Sequence, residues 1–219
     1  MNILTFDTAL DKMYVSLGDE EKIISSEITE TTKEYYHSAF LISTIRDILK
    51  ENGLTPKDVD LIATNTGPGS FTGIRACTTV ARVFAQEISK EKEIKTIGIC
   101  SLEILSRIKC DSGKKNLIAL DARKDMAYVA IYDNKKEFFA PQTVLMEELK
   151  KMIKKEDYVV ITDNKLSSVL GGISYKEENK NLGKILREIA TEKINAGFET
   201  SWKKLHPLYI QPPPFTVKK

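Results

Sequence analysis

Only three cysteines, Cys77, Cys100 and Cys110, occur in the chain, and their odd number and wide spacing exclude a disulfide framework or a zinc knuckle. Free thiols in a reducing compartment are expected, and with them a cytoplasmic protein. Long hydrophobic runs are lacking as well. None approaches the roughly 18 residues that a membrane-crossing helix needs, so no membrane contact is expected. Neither sign of charge prevails: 33 Lys and Arg stand against 31 Asp and Glu, a net charge of +2. That is too little for strong electrostatic capture of nucleic acid by the whole chain. The lysine pairs Lys150-Lys151, Lys154-Lys155, Lys203-Lys204 and Lys218-Lys219 read as a dispersed solvated surface. Histidine is limited to His37 and His206, too few and too far apart in sequence for a histidine-paired metal site. The opening Met1-Asn2-Ile3-Leu4-Thr5-Phe6-Asp7 carries no basic leader and reads as mature protein from its first residue.

What is present is the material of a folded chain. An apolar content of 42% rules out a wholly disordered protein, and 219 residues allow one large core or two compact halves. Extended segments Asn2–Thr8, Met13–Gly18 and Lys22–Thr29, joined by short polar turns, predict an antiparallel meander. A helical pattern from about Thr32 to Glu51 stops at Asn52-Gly53. A strand follows over Asp60–Thr66, then the loop Gly67-Pro68-Gly69-Ser70-Phe71-Thr72-Gly73, a helix to about Ser89, a strand over Ile94–Ile99, and a short helix from Ser101. The polar stretch Lys109–Lys115 is the expected linker. Beyond it come strands at Asn116–Asp121, Met126–Asp133 and, more weakly, Glu137–Phe139, then a lysine-faced helix over Leu145–Lys155, a strand over Tyr158–Thr162 and a helix over Leu182–Ala196. Pro212-Pro213-Pro214 holds the tail extended.

The second half thus partly repeats the element order of the first. Two halves that each open on hairpin strands are poorly described by a simple Rossmann sheet. They fit an α/β, duplicated, two-lobed actin/hexokinase-like (ASKHA) fold with mixed sheets and flanking helices. The expected division is an N-terminal lobe over 1–108 and a smaller C-terminal lobe over 109–219 with a Pro-rich tail.

A strand, a glycine loop and a helix are the usual setting for phosphate binding. A Walker A loop fails here, because Gly73 is followed by Ile74-Arg75 where Lys and Ser or Thr are needed. A dinucleotide fingerprint is a poor match too, since the spacing is GxGxxxG and the next strand ends without a carboxylate. Ser70 or Thr72 is expected to cap the helix. The glycines around Phe71 would also suit close backbone approach by another protein.

Helix faces point the same way. At about 100° per residue, Leu41, Ile42, Ile45, Ile48 and Leu49 share one arc and are expected in the core, with Tyr36 and Phe40 outside it. In the helix after the loop, Ile74, Cys77, Val80, Ala81, Phe84, Ala85 and Ile88 form the core arc, and Arg75, Thr79, Arg82 and Gln86 line the opposite side. Tyr36, Phe40, Ser70, Phe71, Thr72, Arg75, Thr79, Arg82 and Gln86 are therefore the expected partner or dimer interface, rich in aromatics and arginine.

Three stretches occur in order: Ile3-Leu4-Thr5-Phe6-Asp7-Thr8, Gly67-Pro68-Gly69-Ser70-Phe71-Thr72-Gly73-Ile74-Arg75, and Leu120-Asp121-Ala122-Arg123-Lys124. With the ending Pro207-Leu208-Tyr209-Ile210, they make the chain resemble the TsaB (YeaZ) family of bacterial tRNA threonylcarbamoyladenosine biosynthesis proteins. The resemblance is clear over residues 1–133 and thinner to about residue 200. It implies an actin-like fold, a homodimer when the chain is alone, and pairing with a catalytic TsaD-like subunit, joined by a TsaE-like ATPase. The complex it implies transfers threonylcarbamoyl to N6 of the adenosine beside the tRNA anticodon. This chain would be a non-catalytic activating subunit that meets tRNA only through the complex and carries no cofactor. The resemblance also implies that the first long helix and the helix after the loop form the dimer or heterodimer face.

Catalysis by the chain itself is argued against by its residues. Catalytic relatives carry histidines at i and i+4, but here His37 is followed at position 41 by Leu, so no metal site and no catalytic residue are expected. Asp7-Thr8-Ala9 and Asp121-Ala122-Arg123 keep the acid of an actin-like phosphate loop without its glycines. Asp7, Thr8 and Asp121 are left with two readings, a vestigial nucleotide site or capping and turn roles. Gly171-Gly172 likewise suits an adenine contact or a plain turn. Two other functions stay open: an ATP-dependent small-molecule kinase or metallopeptidase of the same fold, and a direct tRNA-binding module.

Overall fold

The computed structural model describes residues 1–30, 37–109, 113–178 and 180–210. Tyr36 and Cys110 lie outside the described residues, as does the Pro-rich tail from 211. The first sheet grows from β1 (Ile3–Asp7), whose five residues are all buried. Burial on both faces requires layers above and below, and these cover Thr5 and Asp7 as well as Ile3, Leu4 and Phe6. β2 (Lys12–Gly18) and β3 (Ile23–Glu30) follow as antiparallel hairpin partners. α1 (Leu41–Glu51) carries the chain over to β4 (Leu61–Gly67), and α2 (Phe71–Ile88) carries it to β5 (Lys95–Cys100). β4 pairs parallel with β1, and β5 parallel with β4, giving the order β3-β2-β1-β4-β5. A short helix, α3 (Ser101–Ser106), follows.

The second sheet repeats this path. β6 (Lys115–Asp121), β7 (Met126–Asp133) and β8 (Lys136–Leu145) form an antiparallel meander. α4 (Met146–Lys155) leads to β9 (Tyr158–Thr162), and α5 (Asn164–Leu170) leads to β10 (Ile173–Ser174). β9 lies parallel to β6 and β10 parallel to β9, so the order read from its edge is β8-β7-β6-β9-β10. Each sheet thus places its first strand at the centre, two antiparallel strands on one side and two parallel strands on the other. This duplicated α/β topology is that of the actin/hexokinase-like fold expected from the element order.

By its contacts the chain forms two compact units, Met1–Ile104 with Lys180–Pro207, and Leu105–Asn179 with Leu208–Lys219. The expected boundary after residue 108 placed everything beyond it in the second lobe, whereas α6 (Leu182–Asn195) packs in the first unit, on β1, β2, β4 and β5. Strand alternation explains the layering. Leu4, Phe6, Met13, Val15 and Leu17 point into a core shared with Ile45, Leu49, Cys77 and Ala81 of α1 and α2. The other sheet face meets α6, where a Cβ on Gly183 would stand 2.5 Å from Ser16 Oγ. The second unit has its own core of Leu117, Ala119, Val129, Ile131, Leu149 and Leu166.

Several local expectations are corrected. Residues 31–36 lie outside the described stretches, and α1 begins at Leu41 after a 3₁₀ turn, His37–Phe40. Ile42 is 58% exposed, and Thr44 is buried with Leu41, Ile45, Ile48 and Leu49. The buried residues run from Thr44 through Ile48, Leu41 and Ile45 to Leu49, an arc of about 140° centred near Leu41, and Ile42 lies about 100° from Leu41, just past the Leu49 edge. β8 runs well past Phe139 and through Pro141, which an edge strand tolerates because its outward N–H needs no partner. The sequence reading missed α5 and β10, which span seven and two residues.

Candidate functional site

β4 delivers the chain into the glycine loop, and the loop presses on the turn that follows β1. Ser70 N–H donates to the Ala9 carbonyl at 2.7 Å. A Cβ on Gly69 would lie 2.3 Å from that same carbonyl oxygen, and one on Gly73 would lie 1.8 Å from the Thr8 oxygen. Only glycine fits at either position, because both obstacles are backbone. The close backbone approach for which these glycines make room is therefore internal. Ser70 caps α2, its Oγ accepting from Gly73 N–H at 3.2 Å, while Thr72 is exposed on the first turn and takes no part in the cap.

Beneath the loop, Asp7 and Thr8 are sealed from solvent. Asp7 Oδ1 accepts from Ala9 N–H at 2.6 Å, and its Oδ2 accepts from Asn65 Nδ2 at 2.9 Å. Asn65 Oδ1 in turn accepts from Gly67 N–H and Ser101 Oγ, each at 2.8 Å. Burial pushes the Asp7 carboxyl up to about 6, against the opposing pull of the Asn65 and Ala9 hydrogen bonds. Thr8 Oγ1 donates to the Gly73 carbonyl at 2.9 Å, and Thr8 N–H points at Cys77 Sγ at 3.1 Å. Burial, and then the Asp7 charge, push the Cys77 thiol up to about 12, which makes it an unreactive core group.

Asp121 belongs to the second unit and organises a turn there. Its N–H donates to Asp163 Oδ2 at 2.7 Å, its Oδ1 accepts from Arg123 N–H at 3.3 Å, and its Oδ2 pairs with Lys165 Nζ at 2.8 Å. Gly171 closes α5 in the left-handed region at φ 72°, and Gly172 is held against Val160, so this pair forms a turn. Among the described residues no three His, Cys, Asp or Glu side chains come together as a metal-ligand set.

The remaining expected site residues lie on the outer side of α2, except Phe40, which precedes α1. Phe71 is 49% exposed, and the Arg75 guanidinium lies over its ring at 5.3 Å. Arg75, Thr79 and Gln86 are exposed. Arg82 is half-buried, its Nη1 3.5 Å from His206 Nδ1. Val83, 57% exposed, shares this face and was missed because its neighbours on the arc are polar. The helical wheel places it about 40° from Thr79, which was signal enough. Phe40, 42% exposed, sits in the 3₁₀ turn that packs beside α2. The face offers two aromatic rings, a valine and an arginine, a chemistry suited to docking.

The fold defines an actin-like α/β protein, and its second long helix carries exposed apolar side chains on its outer face. The family model of TsaD, tRNA N6-adenosine threonylcarbamoyltransferase, matches residues 23–165, well over half of the chain. The tRNA threonylcarbamoyladenosine biosynthesis protein TsaB of Bacillus subtilis is 28% identical over 74% of this chain and 69% of its own length. The TsaB protein of Buchnera aphidicola subsp. Schizaphis graminum is 32% identical over 59% of this chain, and the match spans 60% of its own length. A Pseudomonas aeruginosa crystal structure, described as an uncharacterized protein with similarity to peptidase YeaZ, superposes with a TM-score of 0.74 at 21% identity, covering 96% of this chain and 99% of that one. The chain belongs to the TsaD family and, within it, stands with the TsaB (YeaZ) proteins of tRNA threonylcarbamoyladenosine biosynthesis. Among the described residues no helix is long and apolar enough to cross a membrane.

Proposed function

We propose that this chain is the non-catalytic activating subunit of the complex that transfers threonylcarbamoyl to N6 of the adenosine beside the tRNA anticodon. It self-associates when alone and docks a TsaD-type catalytic subunit, which a TsaE-type ATPase joins, and the reaction on tRNA takes place in that complex. The observation that carries this reading is the outer face of α2, where Phe71 and Val83 stand exposed around Arg75, Thr79 and Gln86. Water-exposed apolar side chains on a rigid helix gain free energy when a partner covers them, and Arg at their centre supplies charge-assisted hydrogen bonds. The sealed state of Asp7 and Thr8 supports the same reading, because both Asp7 oxygens are already engaged inside the protein.

The test is co-purification with the TsaD-type subunit, followed by tRNA modification with and without this chain. The expected outcome is no transferase activity from the chain alone and stimulation of the partner when both are present. Phosphate release from ATP, or stoichiometric metal, in the isolated chain would instead favour the kinase or metallopeptidase reading.

A further inference from the structure

A two-residue left-handed hairpin turn calls for Asn-Gly, because both of its central residues take positive φ. The β6–β7 connection puts Arg-Lys-Asp there. Arg123, Lys124 and Asp125 have φ of 65°, 50° and 56°, three consecutive non-glycine residues in the left-handed region. Such strain persists only where the surroundings over-determine it. Here Met126 N–H donates to the Arg123 carbonyl at 3.1 Å, Ala122 N–H to the Met126 carbonyl at 2.9 Å, and Met146 N–H, at the start of α4, to the Asp125 carbonyl at 2.9 Å. Asp121 fixes Arg123 N–H from below and is itself neutralised by Lys165.

The tip therefore holds two cations rigidly outward, since Arg123 and Lys124 are both exposed. Among the described residues neither side chain has an ion pair or a hydrogen bond. α4, which begins one hydrogen bond from this tip, continues the pattern. Lys150, Lys151, Lys154 and Lys155 are exposed and without an ion pair among the described residues. Two carboxylates after the helix are taken, Glu156 by Lys115 at 2.5 Å and Asp157 by Lys114 at 2.8 Å, and Glu147 and Glu148, one turn before Lys150 and Lys151, form no ion pair with them among the described residues. The helix dipole accounts for cations in the last turn and for Glu147 and Glu148 in the first, but not for Lys150 and Lys151. At about 1.5 Å per residue, Lys155 lies about 14 Å along the helix from Met146, a span of two or three phosphates.

We propose that the β6–β7 tip and the lysine face of α4 bind the phosphate backbone of an RNA strand, so that this chain contributes part of the tRNA grip of the complex. The choice of RNA rests on the proposed function; the cationic surface does not. Phosphate contacts position a nucleic acid without reading its sequence and ask only for cations on a fixed frame.

The experiment measures binding of the full chain alone to a tRNA transcript by fluorescence anisotropy, over about 20 to 200 mM salt. The double variant R123Q/K124Q is expected to lower the slope of log affinity against log salt by about 2 and to weaken binding roughly tenfold at the upper end. K150Q/K151Q/K154Q/K155Q is expected to lower the slope at least as much, with the melting temperature of both variants unchanged. A wild-type slope in the tip variant overturns the proposal. So does a tip variant that binds RNA normally yet no longer stimulates the transferase, which would assign the tip to a protein partner. Because RNA binding is read on this chain alone, failure of the chain to activate any transferase would sink the proposed function and leave this measurement standing.

Discussion

Asp7 couples the stability of the first unit to pH. In the unfolded chain its carboxyl ionises near its ordinary 3.8, whereas burial holds it up to about 6 in the fold. The unfolded state therefore loses its proton first as pH rises. Stability contributed by Asp7 is fully present below about 4, declines between about 4 and 6, and is lost above, a fall on the order of 3 kcal/mol. Urea denaturation at several pH values should show that Asp7→Asn lacks this decline relative to the parent, whatever its absolute stability. Equal pH slopes in parent and variant would dissociate the buried carboxyl from this behaviour. Gly73 gives a second residue-level expectation. A methyl group there meets the Thr8 carbonyl at 1.8 Å, and backbone cannot swing aside as a side chain can. Gly73→Ala should cost about 3 kcal/mol or more, whereas Gly53→Ala, with open space around it, should cost only the strain of a positive φ, about 1 kcal/mol. Thermal melts of the two variants side by side check the ordering.

At the scale of elements, α2 separates two kinds of energy. Its inner residues Ile74, Cys77, Ala81, Ala85 and Ile88 stabilise the unit, while its outer residues are available to a partner. Val83→Asp should leave the melting temperature of the dilute chain unchanged and weaken both self-association and partner binding by at least about 100-fold, since an unpaired charge would be buried at the contact. Sedimentation at graded concentration reads the first effect and calorimetry the second; undiminished association in both would place the docking surface elsewhere. The two faces of α2 were legible from spacing alone, because a helix between a sheet and solvent has a period that sequence displays. Other features left little trace. Ile42 and Leu41 are adjacent and equally apolar, and only the direction of the core separates them. β10 has two residues, too few for any period. Gly69 and Gly73 announced a close backbone approach, yet nothing in the sequence said that the approaching backbone was that of Thr8 and Ala9.

The whole molecule turns on where α6 belongs. Its pattern Leu182, Leu186, Ile189, Ala190 states that it covers a sheet, but either of two sheets with the same strand order would do, and chain order suggested the nearer one. The structure assigns it to the first unit, where Arg187 is 3% exposed and donates to the Asp19 carbonyl at 2.7 Å, fastening the turn between β2 and β3. The following segment also returns Leu205 to the core beneath α1 and α2. Burial of Leu182, Leu186 and Ile189 contributes about 1.5–3 kcal/mol each, on the order of 5–9 kcal/mol together, which rivals the entire stability of a small domain at about 5–15 kcal/mol. A fragment of residues 1–108 should therefore lack cooperative unfolding by circular dichroism, while a fragment joining 1–104 to 180–207 through a short flexible linker should regain it. Cooperative melting of the shorter fragment at the temperature of the joined one would show that β1 to β5 need no cover from α6, and the assignment of that helix to the first unit would lose its energetic meaning.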